Sequence, residues 1–306
     1  MLRYQEIAPS PALAANVACF WAIAGAVDPG PPAMNRVLPD GCMDVIFDFA
    51  GVSRTGAAPG AGKVIAVGAM RRALVVEHQG RVDLFGVRFR PGGAVPLLKI
   101  PAFELTDLIA GLDHFWPEAN RLADIIQAGP PAIEAGLADP DHGRGAFSSG
   151  RRGGPGSDPY RASEHARLRL RAARLEAVLL KKLDLAAPVD PLVRAAMRII
   201  RLAHGDIPVR SLELRLGVVP RTLERRFLAA VGIPPKSACR VVRMQAAASM
   251  LRAKPAQSIA SIAILTGFHD QAHFTRDFSR LAGITPAAWA RQGVVGFLQD
   301  GNAPAA

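Results

Sequence analysis

Gly217-Val218-Val219-Pro220-Arg221-Thr222-Leu223-Glu224-Arg225-Arg226-Phe227 is echoed further along the chain by Gly267-Phe268-His269-Asp270-Gln271-Ala272-His273-Phe274-Thr275-Arg276-Asp277-Phe278. An offset of 51 sets Leu223 on Phe274, Arg225 on Arg276, Phe227 on Phe278, Gly232 on Gly283, Ile233 on Ile284 and Pro235 on Pro286. Upstream the offset is 50 and sets Gly217-Val218 on Gly267-Phe268, so the second copy carries one extra residue between turn and helix. Self-similarity of this kind marks a repeated supersecondary unit.

Each copy predicts a short apolar helix, a glycine free to take positive φ, and a second helix with one inward face. That is helix-turn-helix syntax. Leu212 and Leu216 precede Gly217, while Ile259, Ile262 and Ala263 precede Gly267. Leu223, Phe227 and Ala230 are expected inward in the first copy, leaving Arg221, Thr222, Glu224 and Arg225 outward. Phe274, Phe278 and Leu281 anchor the second copy and leave Gln271, Ala272, Thr275 and Arg276 outward. Between the copies, Val241, Met244, Ala248 and Leu251 keep helical spacing until Pro255. A helix over residues 236–254 has 19 residues and rises roughly 28 Å. Successive major-groove faces of a duplex lie ~34 Å apart, so a rod of this length suits paired groove reading.

Charge supports an anionic partner for this part of the chain. The 306 residues hold 37 Lys and Arg against 26 Asp and Glu, a formal net charge of +11. Residues 1–138 carry 11 basic and 13 acidic side chains, residues 139–185 carry 10 and 6, and residues 186–306 carry 16 and 7. A phosphate-binding surface is therefore expected toward the C-terminal end, and nucleic acid leads over membrane. Residues 7–27 form an uncharged stretch, but eight alanines, Pro9, Pro11 and Asn16 argue for a buried helix or strand rather than a membrane span or signal peptide. Phe20 and Trp21 are expected in the core. Cys19, Cys42 and Cys239 are the only cysteines and form no CxxC pair. A disulfide framework and a four-sulfur zinc site are thereby excluded, and a reducing cytoplasm fits.

The N-terminal part reads differently. In Asp44-Val45-Ile46-Phe47-Asp48-Phe49 the apolar residues alternate with carboxylates, the period of a half-buried strand. Residues 83–90 repeat the pattern with Phe85, Val87 and Phe89 against Arg88 and Arg90, and Pro91-Gly92-Gly93 ends the run. Residues 63–68 and 73–78 are further strands, and helical spacing follows residue 94. Residues 139–163 are rich in Gly, Arg, Ser and Pro and read as a flexible loop. Leu168, Ala172, Leu175, Leu179 and Leu183 then form one stripe of a basic helix, suited to packing in its own domain or to an inter-subunit contact. Ala186-Ala187-Pro188 ends it.

The expected architecture is α+β. A β-rich domain with trailing helices covers 1–138, a loop 139–163, an amphipathic helix 164–187, an all-α double helix-turn-helix domain 188–295, and a tail 296–306.

The two quoted stretches, with Gly283-Ile284-Thr285-Pro286 after them, resemble the AraC/XylS family of bacterial transcription regulators over about residues 190–292. The resemblance implies seven helices in two subdomains joined by a long helix, with the second helix of each motif in the major groove. Carried residue by residue, it assigns base-edge contact to Arg221, Glu224 and Arg225, and to Gln271, Thr275 and Arg276. Thr222 falls to phosphate contact or packing. The chemistry agrees independently. Arg donates twice to guanine, Gln pairs with adenine, and Glu accepts from cytosine. His273 reads as a structural residue.

Two positions depart from the family pattern. Val219 stands where Ser usually caps the helix, a loss of ~1 kcal/mol unless another group substitutes. Glu213 stands where the second copy has Ala263, so either the first motif opens or Glu213 turns to an arginine such as Arg215 or Arg226. The N-terminal part resembles an uncharacterised sensor-like domain through Leu38-Pro39-Asp40-Gly41-Cys42-Met43-Asp44 and Phe85-Gly86-Val87-Arg88-Phe89-Arg90-Pro91-Gly92-Gly93. Pro39-Asp40-Gly41 is expected to form a structural hairpin, and Arg88 and Arg90 a solvated face rather than an anion clamp.

The sequence thus points to a DNA-binding transcription regulator whose N-terminal domain senses a small-molecule effector or mediates dimerisation. Double-stranded DNA is the expected partner, with RNA polymerase and a second copy of the chain compatible, and no membrane or cofactor. Alternatives are control by a protein partner without an effector, or a cysteine-based alkyl acceptor using Cys42. The second lacks a nucleophile with a matching base.

Overall fold

The computed structural model describes residues 2–50, 63–128, 159–253 and 256–291. Strands dominate the first part. β1 (Leu2–Ile7), β2 (Val17–Ala26), β4 (Met43–Asp48), β5 (Val64–Val67), β7 (Arg81–Phe89) and β8 (Ile109–Gly111) form a six-stranded sheet in the order β1-β2-β7-β4-β5-β8. All its pairings are antiparallel. β3 (Ala33–Val37) and β6 (Leu74–His78) make a separate antiparallel pair. Helices follow as α1 (Val95–Leu98), α2 (Ala119–Gln127) and α3 (Pro159–Leu183).

Alternation explains which face goes where. Val45 and Phe47 on β4, Phe85, Val87 and Phe89 on β7, and Val17 and Phe20 on β2 enter one core with Leu168, Ala172, Leu175 and Leu179 of α3. The apolar stripe of α3 is therefore consumed inside the N-terminal domain, the first of the two placements its spacing allowed. Arg171 fixes the helix further through Asp83 at 2.7 and 3.1 Å, with its guanidinium 4.1 Å from the Phe49 ring centre. α3 begins at Pro159, inside the segment expected to be a loop; residues 139–158 lie outside those described. The tail over 296–306 also lies outside them.

β4 keeps the alternation expected of a half-buried strand, but β7 is buried on both faces, which corrects the reading of residues 83–90. Cys19, Trp21, Ile23, Val82 and Leu84 form a second cluster on the opposite sheet face. Arg88 is only 5% exposed, with Asp44, Asp40 and Glu6 at 3.3, 3.6 and 3.6 Å. Trp21 Nε1 donates to Asp44 at 2.8 Å. Arg88 is thus neither on a solvated face nor available as an anion clamp, because three carboxylates already neutralise it. Arg90 donates to the Ala14 carbonyl at 2.8 Å, so it serves the β1–β2 connection. Asp40 accepts from the Cys42 N–H at 2.8 Å and Gly41 takes a φ of 74°, as turn chemistry dictates. The turn is no hairpin, however: β3 pairs with β6 and β4 with β5 and β7, so the chain changes sheets there.

Residues 7–27 become the end of β1, a turn and β2, with Phe20 and Trp21 buried on opposite faces. No helix among the described residues is long and apolar enough to cross a membrane. Burial pushes the Cys19 thiol up to about 12 and raises that of Cys42 well above its ordinary range.

The C-terminal part is all helix: α4 (Pro191–Leu202), α5 (Val209–Leu216), α6 (Pro220–Val231), α7 (Pro235–Ala253), α8 (Ile259–Leu265), α9 (Gln271–Ala282) and α10 (Pro286–Arg291). Two cores divide these seven helices, one around Met197, Leu212, Leu223 and Phe227, the other around Met244, Ile262, Phe274, Phe278 and Trp289. N-terminal residues enter both. Ala69 packs in the first and Leu38 in the second.

Candidate nucleic-acid interface

The repeat in the sequence becomes a repeat in space. α6 and α9 each have 12 residues, start 51 positions apart and end on Gly232 and Gly283 in the left-handed region. α5 leads into α6 through Gly217 at φ 62°, and α8 into α9 through Gly267 at φ 76°. A β-carbon at Gly267 would meet the Asp206 carboxylate at 2.5 Å. That turn therefore needs glycine for space as well as for conformation.

Inward residues fall as their spacing requires. Leu223 and Phe227 are fully buried in α6, as are Phe274 and Phe278 in α9. Outward, Arg221, Glu224 and Arg225 are exposed on α6 and Thr222 is half-buried; Gln271, Ala272 and Arg276 are exposed on α9 and Thr275 is half-buried. Each second helix thus offers its first two turns to a partner, with Arg225 and Arg276 at the same depth. Among the described residues none of Arg221, Arg225 and Arg276 has a carboxylate within ion-pair distance, so their guanidinium groups stay available. His273 instead packs edge-on to Phe268, at 5.5 Å between ring centres, and lies 3.9 Å from Asp277, a structural placement.

The two motifs are held by different means. In the second, Ser258 caps α8 through the Ser261 N–H at 3.1 Å, and Asp270 caps α9 through the His273 N–H at 2.7 Å. That hydrogen bond leads the effects that hold the exposed Asp270 carboxylate below its ordinary range. In the first motif neither Pro208 nor Val219 gives a side-chain cap. Pro220 partly compensates at the start of α6, since proline has no N–H to leave unsatisfied. Glu213 is half-buried and forms no ion pair among the described residues. Of the two arginines offered as its partner, Arg215 forms no ion pair with it among the described residues, and Arg226 forms a two-pronged pair with Asp190 at 2.5 and 2.7 Å. Asp190 meanwhile caps α4 by accepting from the Leu192 and Val193 N–H groups at 2.9 and 3.3 Å. Burial alone would raise its carboxyl; the Arg226 and backbone hydrogen bonds outweigh this and hold it below 3.8.

α7 contributes more than length. Its 19 residues give roughly 28 Å of rise, and two of its arginines fix what lies at either side. Arg240 grips Asp277 of α9 at 2.8 and 3.1 Å. Arg243 donates to the Gly205 carbonyl at 2.9 Å and to the Gly267 carbonyl at 3.1 Å, and pairs with Asp206 at 3.1 Å. One guanidinium therefore joins the loop entering the first motif to the turn of the second. Periodicity could not have found Arg240 or Arg243, because their partners are distant in sequence. Asp190 before Pro191 did carry a legible signal, an acidic residue followed by proline at a helix start. Arg252, near the end of α7, lies 3.9 Å over the Trp289 ring.

Comparison with known proteins divides the chain in the same way. Residues 213–292 match a helix-turn-helix domain family, and residues 5–110 match a domain of unknown function, DUF6597. No curated protein matches. Among solved structures, the chain is similar to the C-terminal domain of AraT, a response regulator from Geobacillus stearothermophilus, at 27% identity over 34% of this chain and 88% of that one, TM-score 0.32. A probable AraC family transcriptional regulator from Rhodopseudomonas palustris is 25% identical over 33% of this chain and 95% of that one, TM-score 0.30. ToxT from Vibrio cholerae is 9% identical over 95% of this chain and 96% of that one, TM-score 0.37.

Proposed function

We propose that this chain, whose C-terminal part is an AraC-type helix-turn-helix DNA-binding domain, regulates transcription by reading two adjacent major grooves with α6 and α9 under control of its N-terminal domain. The observation that carries the reading is the linkage through α7. Arg240 and Arg243 tie both motifs to one rod, so the two second helices present their outward residues at a fixed separation.

Arg221, Glu224 and Arg225 read one groove, with Thr222 at phosphate, and Gln271, Thr275 and Arg276 read the next. The outward sets differ, so the preferred site need not be a palindrome. Regulation enters through the N-terminal domain, by a small molecule or by a second copy of the chain, and the setting is the bacterial cytoplasm with RNA polymerase as the downstream partner. Footprinting of the full chain on sites recovered by selection from random duplex tests this. Two protected patches one helical turn apart are expected. Protection of one turn only, persisting in the Arg225→Ala chain and lost in Arg276→Ala, would reduce the first motif to scaffolding.

A further inference from the structure

The N-terminal domain grips the matching ends of both second helices. Thr106 Oγ1 donates to the Gly232 carbonyl just past α6 at 2.7 Å. At the end of α9, the Ala73 N–H donates to the Leu281 carbonyl at 2.7 Å and Arg36 to the Ala282 carbonyl at 3.0 Å. A β-carbon at Gly232 would meet Thr106 Oγ1 at 2.6 Å, so that glycine permits the close approach as well as its φ of 89°. Gln245 of α7 adds a bond to the Pro39 carbonyl at 2.7 Å.

Between these grips lies a cavity of about 610 Å³, walled on one side by residues 70–74 and Asp107 and on the other by α7 and the end of α9. Its size is that of a small-molecule site. Four arginines line it, Arg71 and Arg72 from the N-terminal domain and Arg240 and Arg280 from the DNA-binding domain, against one carboxylate, Asp107. Arg71 is held by Asp107 at 2.5 Å and Arg240 by Asp277 at 2.8 Å. Arg72 and Arg280 have no acidic partner among the described residues, which leaves two uncompensated guanidinium groups on facing domains. Met70, Leu74, Ile233 and Leu281 supply an apolar floor.

We propose that this interdomain cavity binds a small organic dianion, bridged by Arg72 from one domain and Arg280 from the other. Two fork-shaped donors match two anionic groups, or one doubly charged group, on a compact carbon body. Because the site is complete only when the domains are docked, the dianion favours the docked arrangement, in which the N-terminal domain holds the ends of α6 and α9. This control role rests on the regulator reading above; occupancy of the cavity does not.

Calorimetric titration of the full chain with succinate, citrate and glycerol 3-phosphate tests the site, with acetate and sulfate as charge controls. Saturable binding of at least one organic dianion is expected, with acetate silent and sulfate weaker for want of a body to meet the apolar floor. Separate response of the carboxylates and the phosphoester identifies which group is read. Affinity should fall about tenfold in Arg72→Ala and again in Arg72→Ala/Arg280→Ala, with circular dichroism and melting temperature of the unliganded variants unchanged. Arg72→Ala should retain duplex DNA at low salt as the parent does. No saturable binding of any organic dianion, or equal binding by the folded double variant, overturns the proposal. Dianion binding by a chain that ignores DNA would instead overturn the regulator reading and leave the site standing.

Discussion

The two helix-turn-helix copies share a backbone plan and differ in what keeps it in place. The second carries more of its own support. Both of its helices carry side-chain caps, and its core stacks Phe268, Phe274, Phe278 and Trp289 at ring-centre spacings of 4.9, 5.5 and 6.3 Å. The first lacks caps on α5 and α6 and has a single aromatic, Phe227, in its core. It relies more on its surroundings: the Asp190–Arg226 pair and the Thr106 bond to Gly232. The N-terminal domain bonds to the ends of both second helices, so both motifs respond to it. The first, with fewer internal supports and more outward arginines, is expected to respond more.

The largest test of this contrast removes aromatic mass from the second core. Phe274→Ala should cost about 3–5 kcal/mol, read as a lower denaturation midpoint, and should erase the second footprint while sparing the first. Loss of both footprints together would make the two cores one cooperative unit.

Removing base readers comes next. Arg276→Ala should weaken the selected site by about 1–3 kcal/mol and relax preference at one base pair, measured by competition against random duplex. Arg225→Ala should do the same at the other half of the site. Equal losses on selected and random DNA would move these residues to phosphate contact.

A smaller effect follows from the prop of the first motif. Asp190→Asn should destabilise the chain by about 1 kcal/mol through the weakened cap and ion pair. It should also flatten the acid limb of stability. The Arg226 and backbone hydrogen bonds lower the Asp190 carboxyl from its ordinary range in the folded chain, so its contribution is complete above the unfolded value, shrinks as pH falls below that value, and is gone once pH passes the folded one. An unchanged acid profile in the variant would remove Asp190 from the account.

The smallest effect repairs what the first motif lacks. Val219 is 64% exposed with the extended backbone of an N-cap, and Val219→Ser should gain about 0.5–1 kcal/mol. The gain should be visible as a higher melting temperature and a weaker dependence of the first footprint on the N-terminal domain. A lower melting temperature would mean the valine packs against something the cap argument ignores.

Much of this was legible along the chain. The 51-residue repeat, the turn glycines, the buried Leu223, Phe227, Phe274 and Phe278, and strands β4 to β7 all follow from local spacing, because a side chain's direction within a helix or strand depends on its own period. Less was legible where charge alternated with apolar residues. Arg88 and Arg90 read as a solvated face because alternation reports two faces without saying what covers the second. Likewise local spacing leaves Glu213 between an opened motif and a pair with Arg215 or Arg226, while the guanidinium of Arg226 is satisfied by Asp190, the cap of α4.

By itself, then, the sequence determined the elements, their inward faces and the outward residue sets of α6 and α9, since these rest on hydrogen bonds and periodicities that span a few residues. Tertiary structure alone decided that three carboxylates bury Arg88, that Arg240 and Arg243 turn α7 into a brace, and that four arginines from two domains surround one cavity. Those arrangements join residues far apart in the chain, and Coulomb attraction acts on distance in space, a quantity that spacing along a polymer does not encode.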